Sequence, residues 1–258
     1  MYRFLLSGRW LALAALVLVV AGVCVQLGRW QFDRLDERRA DNERIEANLA
    51  TEPVPVEGIA PAGGAVDPDD EWRRVTASGS YDSENQIVLT QQTREVGPGV
   101  EVLTPLVVAD GQAVLVDRGW IATSGPSDVP SPPAAPTGSV DVTGWLRVDS
   151  GAEDWATTPE DGTVRAVDSA DIADGLPYEV VPGWISLIEQ QPSADAGLAA
   201  TEEPDLGQGP HFFYGLQWWF FAALALVGYG WFAWTEAHPR RREPVAETRQ
   251  PASTSSQS

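Results

Sequence analysis

Two stretches of this 258-residue chain carry no charged side chain: 19 residues from Trp10 to Gly28 and 23 from Phe212 to Trp234. At about 1.5 Å of helical rise per residue, each can cross a hydrocarbon core of about 30 Å. Whatever else the chain folds into must hang between two such helices. The first run is too long for the apolar core of a cleaved leader, and "GVCVQLGRW" offers no small-x-small cleavage site. It reads as a retained anchor.

The chain has no lysine, so topology rests on arginine. Arg3 and Arg9 precede the first run, and Arg240, Arg241 and Arg242 follow the second. Basic flanks favour the cytoplasm, which predicts both termini inside and the segment Arg29 to Pro210 outside. That segment holds 11 arginines against 34 acidic residues, a net of −23. Such a charge argues against binding nucleic acid or an anionic lipid surface. The one cysteine, Cys24, lies inside the first run, so no intrachain disulfide can staple the outer segment.

The expected organisation is a cytoplasmic N-terminus (1–9), a transmembrane helix (10–28), a helical extension (29–52), an extracytoplasmic β-rich domain (53–210), a second transmembrane helix (211–234) and a disordered cytoplasmic tail (235–258). The extension has neither glycine nor proline from Arg29 to Leu49, and it sets opposite charges at helical spacing, as in Asp36/Arg39, Arg39/Glu43 and Asp41/Arg44. Pro53 and Pro55 end it, and a loop follows to Asp70. Short alternating, β-rich runs at 72–81, 85–92, 100–109, 112–121, 139–148, 163–168 and 183–190 predict strands, and 168–177 a helical turn. Asp110-Gly111 marks a hairpin, and 126–138 is a proline-rich break. The fold class is thus an α+β membrane protein: two transmembrane helices flank a mostly antiparallel β domain, a small barrel or sandwich.

Two histidines and one cysteine exclude a multi-histidine or thiolate metal site in the outer domain. No nucleophile elbow, phosphate-binding glycine loop or dinucleotide fingerprint is present, so the chain does not read as an enzyme. A sensor would need a cytoplasmic output module, and only 24 residues follow Trp234.

Three clusters remain. "HFFYGLQWW" (211–219) opens the second span behind Pro210, a residue suited to a first helical turn. Helical spacing puts His211, Tyr214 and Trp218 on one face, with Gln217 beside them. A histidine at a membrane mouth can ligate haem iron through a neutral ring nitrogen. The same residues also make an ordinary interfacial aromatic belt, and residue chemistry alone leaves both readings open. His238, before Pro239, has no such companions. "LGRWQFDR" (27–34) carries Arg29, Trp30 and Gln31, which read equally as a snorkelling arginine beside an interfacial tryptophan. "VLVDRGWI" (114–121) carries Arg118, Gly119 and Trp120, a strand end with a glycine kink. Either arginine could instead receive a carboxylate or propionate in a fork geometry.

Taken in order, with two spans and an outer segment of this size, the three clusters resemble the Surfeit locus protein 1 family of cytochrome c oxidase assembly factors, over roughly residues 10–235. The acidic, lysine-free composition looks like that of an actinobacterial member. The resemblance implies a non-enzymatic role in the oxidase-bearing plasma membrane, in biogenesis of oxidase subunit I and in connection with haem a. Subunit I and a haem a synthase are the implied partners. It further implies that His211 is the reversible axial ligand of the haem iron, and that Tyr214, Gln217 and Trp218, with Gly28, Arg29, Trp30 and Gln31 and with Arg118, Gly119 and Trp120, stand at the family's motif positions. The proline-rich insert at Pro126 to Pro136 departs from that pattern and bears on partner contacts. A structural assembly protein that stabilises oxidase intermediates without touching haem is the alternative.

Overall fold

The helix that begins in the first uncharged run does not end with it. In the computed structural model, which describes residues 3–61, 63–108, 111–125, 128–193 and 197–238, α1 runs unbroken from Gly8 to Leu49. It therefore joins the first span to the expected extension in one 42-residue element. The second apolar helix, α4, spans His211–Ala237. Both are long and apolar enough to cross a membrane. The chain divides into two compact units, Met1–Arg38 with Gln208–Ser258, and Arg39–Gly207.

The second unit is built mostly of strands: β1 (Val54–Pro55), β2 (Arg74–Tyr81), β3 (Ile87–Arg94), β4 (Gly97–Val107), β5 (Gln112–Ala122), β6 (Ser139–Arg147), β7 (Thr163–Val164) and β8 (Glu179–Gln191). Two short helices, α2 (Asp154–Thr157) and α3 (Ser169–Ala173), lie between β6 and β8. They form one sheet in the order β1-β2-β6-β8-β5-β4-β3-β7. A further antiparallel pairing of β2 with β4, Ser80 with Val107 and Tyr81 with Leu106, closes β2, β6, β8, β5 and β4 into a ring. Closure removes two free edges that would otherwise invite association.

The domain is mostly β, as expected, and antiparallel pairings predominate among the described strands, but the sheet is mixed. β1 runs parallel to β2, β3 to β7, and β5 to β8. Side-chain alternation reports which residues face a core; it says nothing of which distant strand lies alongside, so the β5–β8 pairing was invisible to it. The expected strand at 163–168 stops at Val164 because the amides of Arg165 and Ala166 both donate to the carbonyl of Ala156 instead of to a neighbouring strand.

Strands β4 and β5 are buried on both faces. Leu106, Val114 and Val116 join Val75, Val140, Val142 and Ile185 in one core. Leu103 and Leu115 point the other way, into a second core with Ile87, Leu89, Ile172 and Trp184. That two-sided burial is why "AVLV" reads as a continuous apolar run. The last turns of α1 belong to this unit: Asn48 Nδ2 donates to the carbonyls of Asp69 (2.7 Å) and Glu71 (2.9 Å), and Arg44 pairs with Asp41 (3.2 Å) and Asp69 (3.3 Å). Asp110 of the expected hairpin, Pro126 at the start of the expected proline-rich break, and the tail from residue 239 with Arg240, Arg241 and Arg242 lie outside the described residues.

Candidate functional site

In the first unit, α1 and α4 pair along a heptad-like seam. On α1 the seam residues are Ala21, Cys24, Gly28 and Gln31, and on α4 His211, Gly215, Trp218 and Ala222. Steps of three and four residues keep one stripe of each helix facing its partner. Small residues let the two backbones approach. A Cβ on Gly28 would fall inside the indole ring of Trp219, and a Cβ on Gly215 would stand 2.8 Å from Phe32 Cε2. Each glycine thus receives an aromatic ring from the opposite helix. Phe32 also packs on Trp219, with ring centroids 4.9 Å apart, and edge-on to Phe212 at 6.1 Å.

One polar pair sits on this seam. His211 Nδ1 lies 2.9 Å from Gln31 Oε1. An amide oxygen only accepts, so Nδ1 is the donor, and in the neutral tautomer that makes this bond the Nε2 lone pair is free. That assignment follows from the hydrogen bond, not from an observed hydrogen. The helix begins at His211, with Pro210 as its N-cap and the Tyr214 amide bonded to the Pro210 carbonyl at 3.1 Å. The start expected behind Pro210 is therefore where the helix starts.

The grouping of the other expected residues is different. Trp218 packs on Ala21, Cys24 and Ala222, within the seam. Tyr214 is 47% exposed, and Gln217 is exposed beside it, because the face that packs is the one holding Gly215 and Ala222. Arg29 and Trp30 are also exposed, with the Arg34 guanidinium 5.9 Å above the Trp30 ring. So His211, Gln31 and Trp218 share the seam, and Arg29, Trp30, Tyr214 and Gln217 line its outside. The packing of Gly28 on Trp219 and of Gly215 on Phe32 escaped the sequence reading, which held Gly28 only as a motif position. The signal available was a glycine in each apolar helix, with an aromatic residue four positions on.

Arg118 and Trp120 belong to the central unit. Glu101 pairs with Trp120 and Leu103 with Asp117, so Arg118 and Gly119 together oppose Val102 as a β-bulge. Gly119 adopts φ +132, and a Cβ there would meet the Ala199 carbonyl. Arg118 is 6% exposed. Its Nη1 donates to Gln86 Oε1 (2.7 Å) and to the Pro133 carbonyl (3.0 Å), and its Nη2 to the Ala134 carbonyl (3.2 Å). The guanidinium also lies 5.5 Å over the Tyr81 ring, whose phenol burial pushes up against the pull of Arg118. These bonds pin the proline-rich segment to the barrel. Trp120 is buried over Gly99, with Arg94 5.1 Å above its ring. Among the described residues, no group of three or more His, Cys, Asp or Glu is placed to hold a metal ion.

A sequence model of the SURF1 family matches residues 18–223. The chain belongs to the SURF1 family. It is 36% identical to an uncharacterized SURF1-like protein of Mycobacterium bovis over 245 residues, 93% of this chain and 89% of that protein. The same figures hold for a SURF1-like protein of Mycobacterium tuberculosis. The Surfeit locus protein 1 of Arabidopsis thaliana is 28% identical over 119 residues, 42% of this chain and 33% of that protein. SURF1 membership carries a general assembly role, and mycobacterial relatives agree with the actinobacterial look of the composition.

Proposed function

We propose that this SURF1 protein is a membrane-embedded, non-enzymatic biogenesis factor for cytochrome c oxidase that assists delivery of haem a to subunit I. Both apolar helices span the plasma membrane in this reading, with termini in the cytoplasm and the −23 domain outside, following the arginine flanks. A haem a synthase would supply the cofactor and subunit I would receive it.

The observation that carries the reading is the His211–Gln31 bond. A haem ligand needs a defined tautomer and a fixed ring, and a hydrogen bond from the other nitrogen to Gln31 provides both. The donor set fits the group. His211 Nε2 would hold the iron, Arg29 would pair with a propionate, and the exposed Trp30, Tyr214 and Gln217 with Trp218 would border the macrocycle. Haem a would supply only an iron with an exchangeable axial position; this chain's residues bind, orient and release it. A single histidine suits a carrier, which must let go. Arg118 and Trp120, the remaining family-motif positions, act in this reading through the shape of the central domain, since the Arg118 donors are already engaged there.

The alternative is a structural factor that stabilises oxidase intermediates without haem. The engagement of Arg118 inside its own domain favours it. The discriminating experiment is an optical spectrum of the detergent-purified protein made with and without a haem a supply. A haem absorbance that is lost in His211→Ala supports delivery. An unchanged spectrum in that variant removes His211 as ligand. Full oxidase maturation and retained capture of subunit I by His211→Ala would favour the structural factor.

A further inference from the structure

Asp117 on β5 and Ser186 on β8 are register partners on neighbouring parallel strands. Residues so paired share one face of the sheet, on strands about 4.8 Å apart. Both side chains are fully buried, and both line a polar cavity of about 180 Å³ in the central unit. They do not bond to each other, for the Ser186 hydroxyl has no hydrogen-bond partner. A buried hydroxyl left in that condition is rare in a folded interior. The spacing of the two side chains suits a group that bridges them.

The charges around this pair leave one carboxylate uncompensated. Asp117 Oδ1 accepts from the Gly119 amide (3.0 Å) and Oδ2 from the Thr201 hydroxyl (3.3 Å). Both donors are neutral, so they favour the carboxylate without balancing its charge. The two arginines that line the cavity have carboxylates of their own. Arg94 on β3 pairs with Glu101 on β4 (3.6 Å), and its guanidinium lies 5.1 Å over the Trp120 ring. Arg147 on β6 pairs with Glu71 (3.1 Å), its guanidinium 4.0 Å from the Trp72 ring and 5.0 Å from that of Trp184. Glu202, also on the lining, is exposed. With those two ion pairs cancelled, the buried negative charge that remains is that of Asp117, and a buried charge needs a partner of opposite sign.

We propose that this cavity binds an alkylammonium group, with the Asp117 carboxylate as its counter-ion and the Ser186 hydroxyl as a second acceptor. An ammonium carries three donors on one compact, rotating centre, so it can serve oxygens on two adjacent strands at once. A metal ion fits poorly, since among the described residues no three His, Cys, Asp or Glu are placed to hold one. The acidity of Asp117 agrees with this geometry. Burial, and then the Glu101 charge, push Asp117 up to about 7, while Gly119, Thr201 and Arg94 oppose. Below neutrality a proton neutralises Asp117. The ammonium replaces it: the O–H bond breaks, the proton goes to solvent, and the freed electron pair accepts the ammonium N–H. Each pH unit below that value therefore costs about tenfold in affinity.

The test is titration calorimetry of the full chain in detergent with methylammonium chloride, in an amine-free buffer. Saturable binding is expected at about pH 8, where sodium chloride at the same ionic strength gives none, and affinity should fall about tenfold at about pH 6. Asp117→Asn should abolish binding. Ser186→Ala removes a hydroxyl that bonds to no other group of the fold, so folding is spared, and it should weaken binding by about tenfold. Lysine capped at both its α-amino and α-carboxyl groups, titrated in the same way, separates the sources: its binding assigns the site to a partner's side chain, and its failure beside methylammonium binding assigns it to a free amine. Heats no different from those of sodium chloride overturn the site and leave the cavity to water. An affinity that both variants keep, or one that does not change with pH, overturns Asp117 as the counter-ion.

Discussion

His211 Nδ1 and Gln31 Oε1 stand 2.9 Å apart, joining α4 to α1 through the polar pair of an otherwise apolar and small-residue seam. The bond does two things at once. It fixes the register of two helices whose other seam contacts are non-directional, and it decides which imidazole nitrogen is free.

Gln31→Leu should therefore weaken haem retention without removing the ligand. Partners of a ligating histidine change affinity by about 10- to 100-fold in metal sites. The expected outcome is a haem spectrum of the same shape at lower occupancy, read by titrating the detergent-purified variant. Gln31→Glu, which still accepts from Nδ1, should retain most of the occupancy. Equal occupancy in wild type and Gln31→Leu would mean the bond serves only the helix register.

The Gly28–Trp219 contact should behave as a steric lock. Gly28→Leu drives a side chain into the indole and should cost about 1–3 kcal/mol of helix pairing. Trp219→Ala removes the obstruction and should rescue much of that loss in the double variant. Near-ultraviolet circular dichroism and thermal unfolding of the three variants make the comparison. If the double variant is as unstable as the sum of the singles, the two residues do not couple.

Much of this was legible in the sequence, and the misses share a cause. The two long apolar helices, the helix running through to Leu49, and most strands follow from charge-free runs and alternation, which are local signals. β8 begins at Glu179, earlier than 183, because Gly183 at φ +75 accommodates an irregularity beside Ala113 and Leu115 that breaks the alternation. The face of α4 that packs depended on Gly28 and Phe32, far away in sequence. Asp117 was hidden among 34 acids. Its signal was position: a lone acid within the run Ala113 to Trp120 that is otherwise apolar but for Arg118 and Gly119.

Arg118 should prove structural in its immediate effect. Arg118→Leu leaves Gln86 Oε1 and the carbonyls of Pro133 and Ala134 without their donor. Bonds from a charged donor contribute about 1.5–3 kcal/mol each, and they are not additive. A total loss of about 2–4 kcal/mol is expected, with new protease cleavage in 128–136 at low protease dose. Arg118→Lys keeps the charge but loses the fork and should fall between. A variant as resistant to cleavage as the wild type would show that the proline-rich segment is held by other contacts.

Stability against pH should carry the sign of a buried acid. The folded value of Asp117 is raised to about 7, above the roughly 3.9 of an unfolded aspartate. Between those values the folded state binds the proton that the unfolded state has released. The contribution of Asp117 is thus fully present below about pH 4 and is lost as pH rises through about 7. Asp149, also pushed up by burial, changes in the same direction, so the wild-type curve alone does not isolate Asp117. The difference between wild type and Asp117→Asn does. Asparagine keeps an acceptor for the Gly119 amide and cannot ionise, so the variant should unfold at a higher temperature than the wild type at about pH 8, and at a similar or lower one at about pH 5. Parallel curves for the two proteins across that window would show that Asp117 remains in one protonation state throughout.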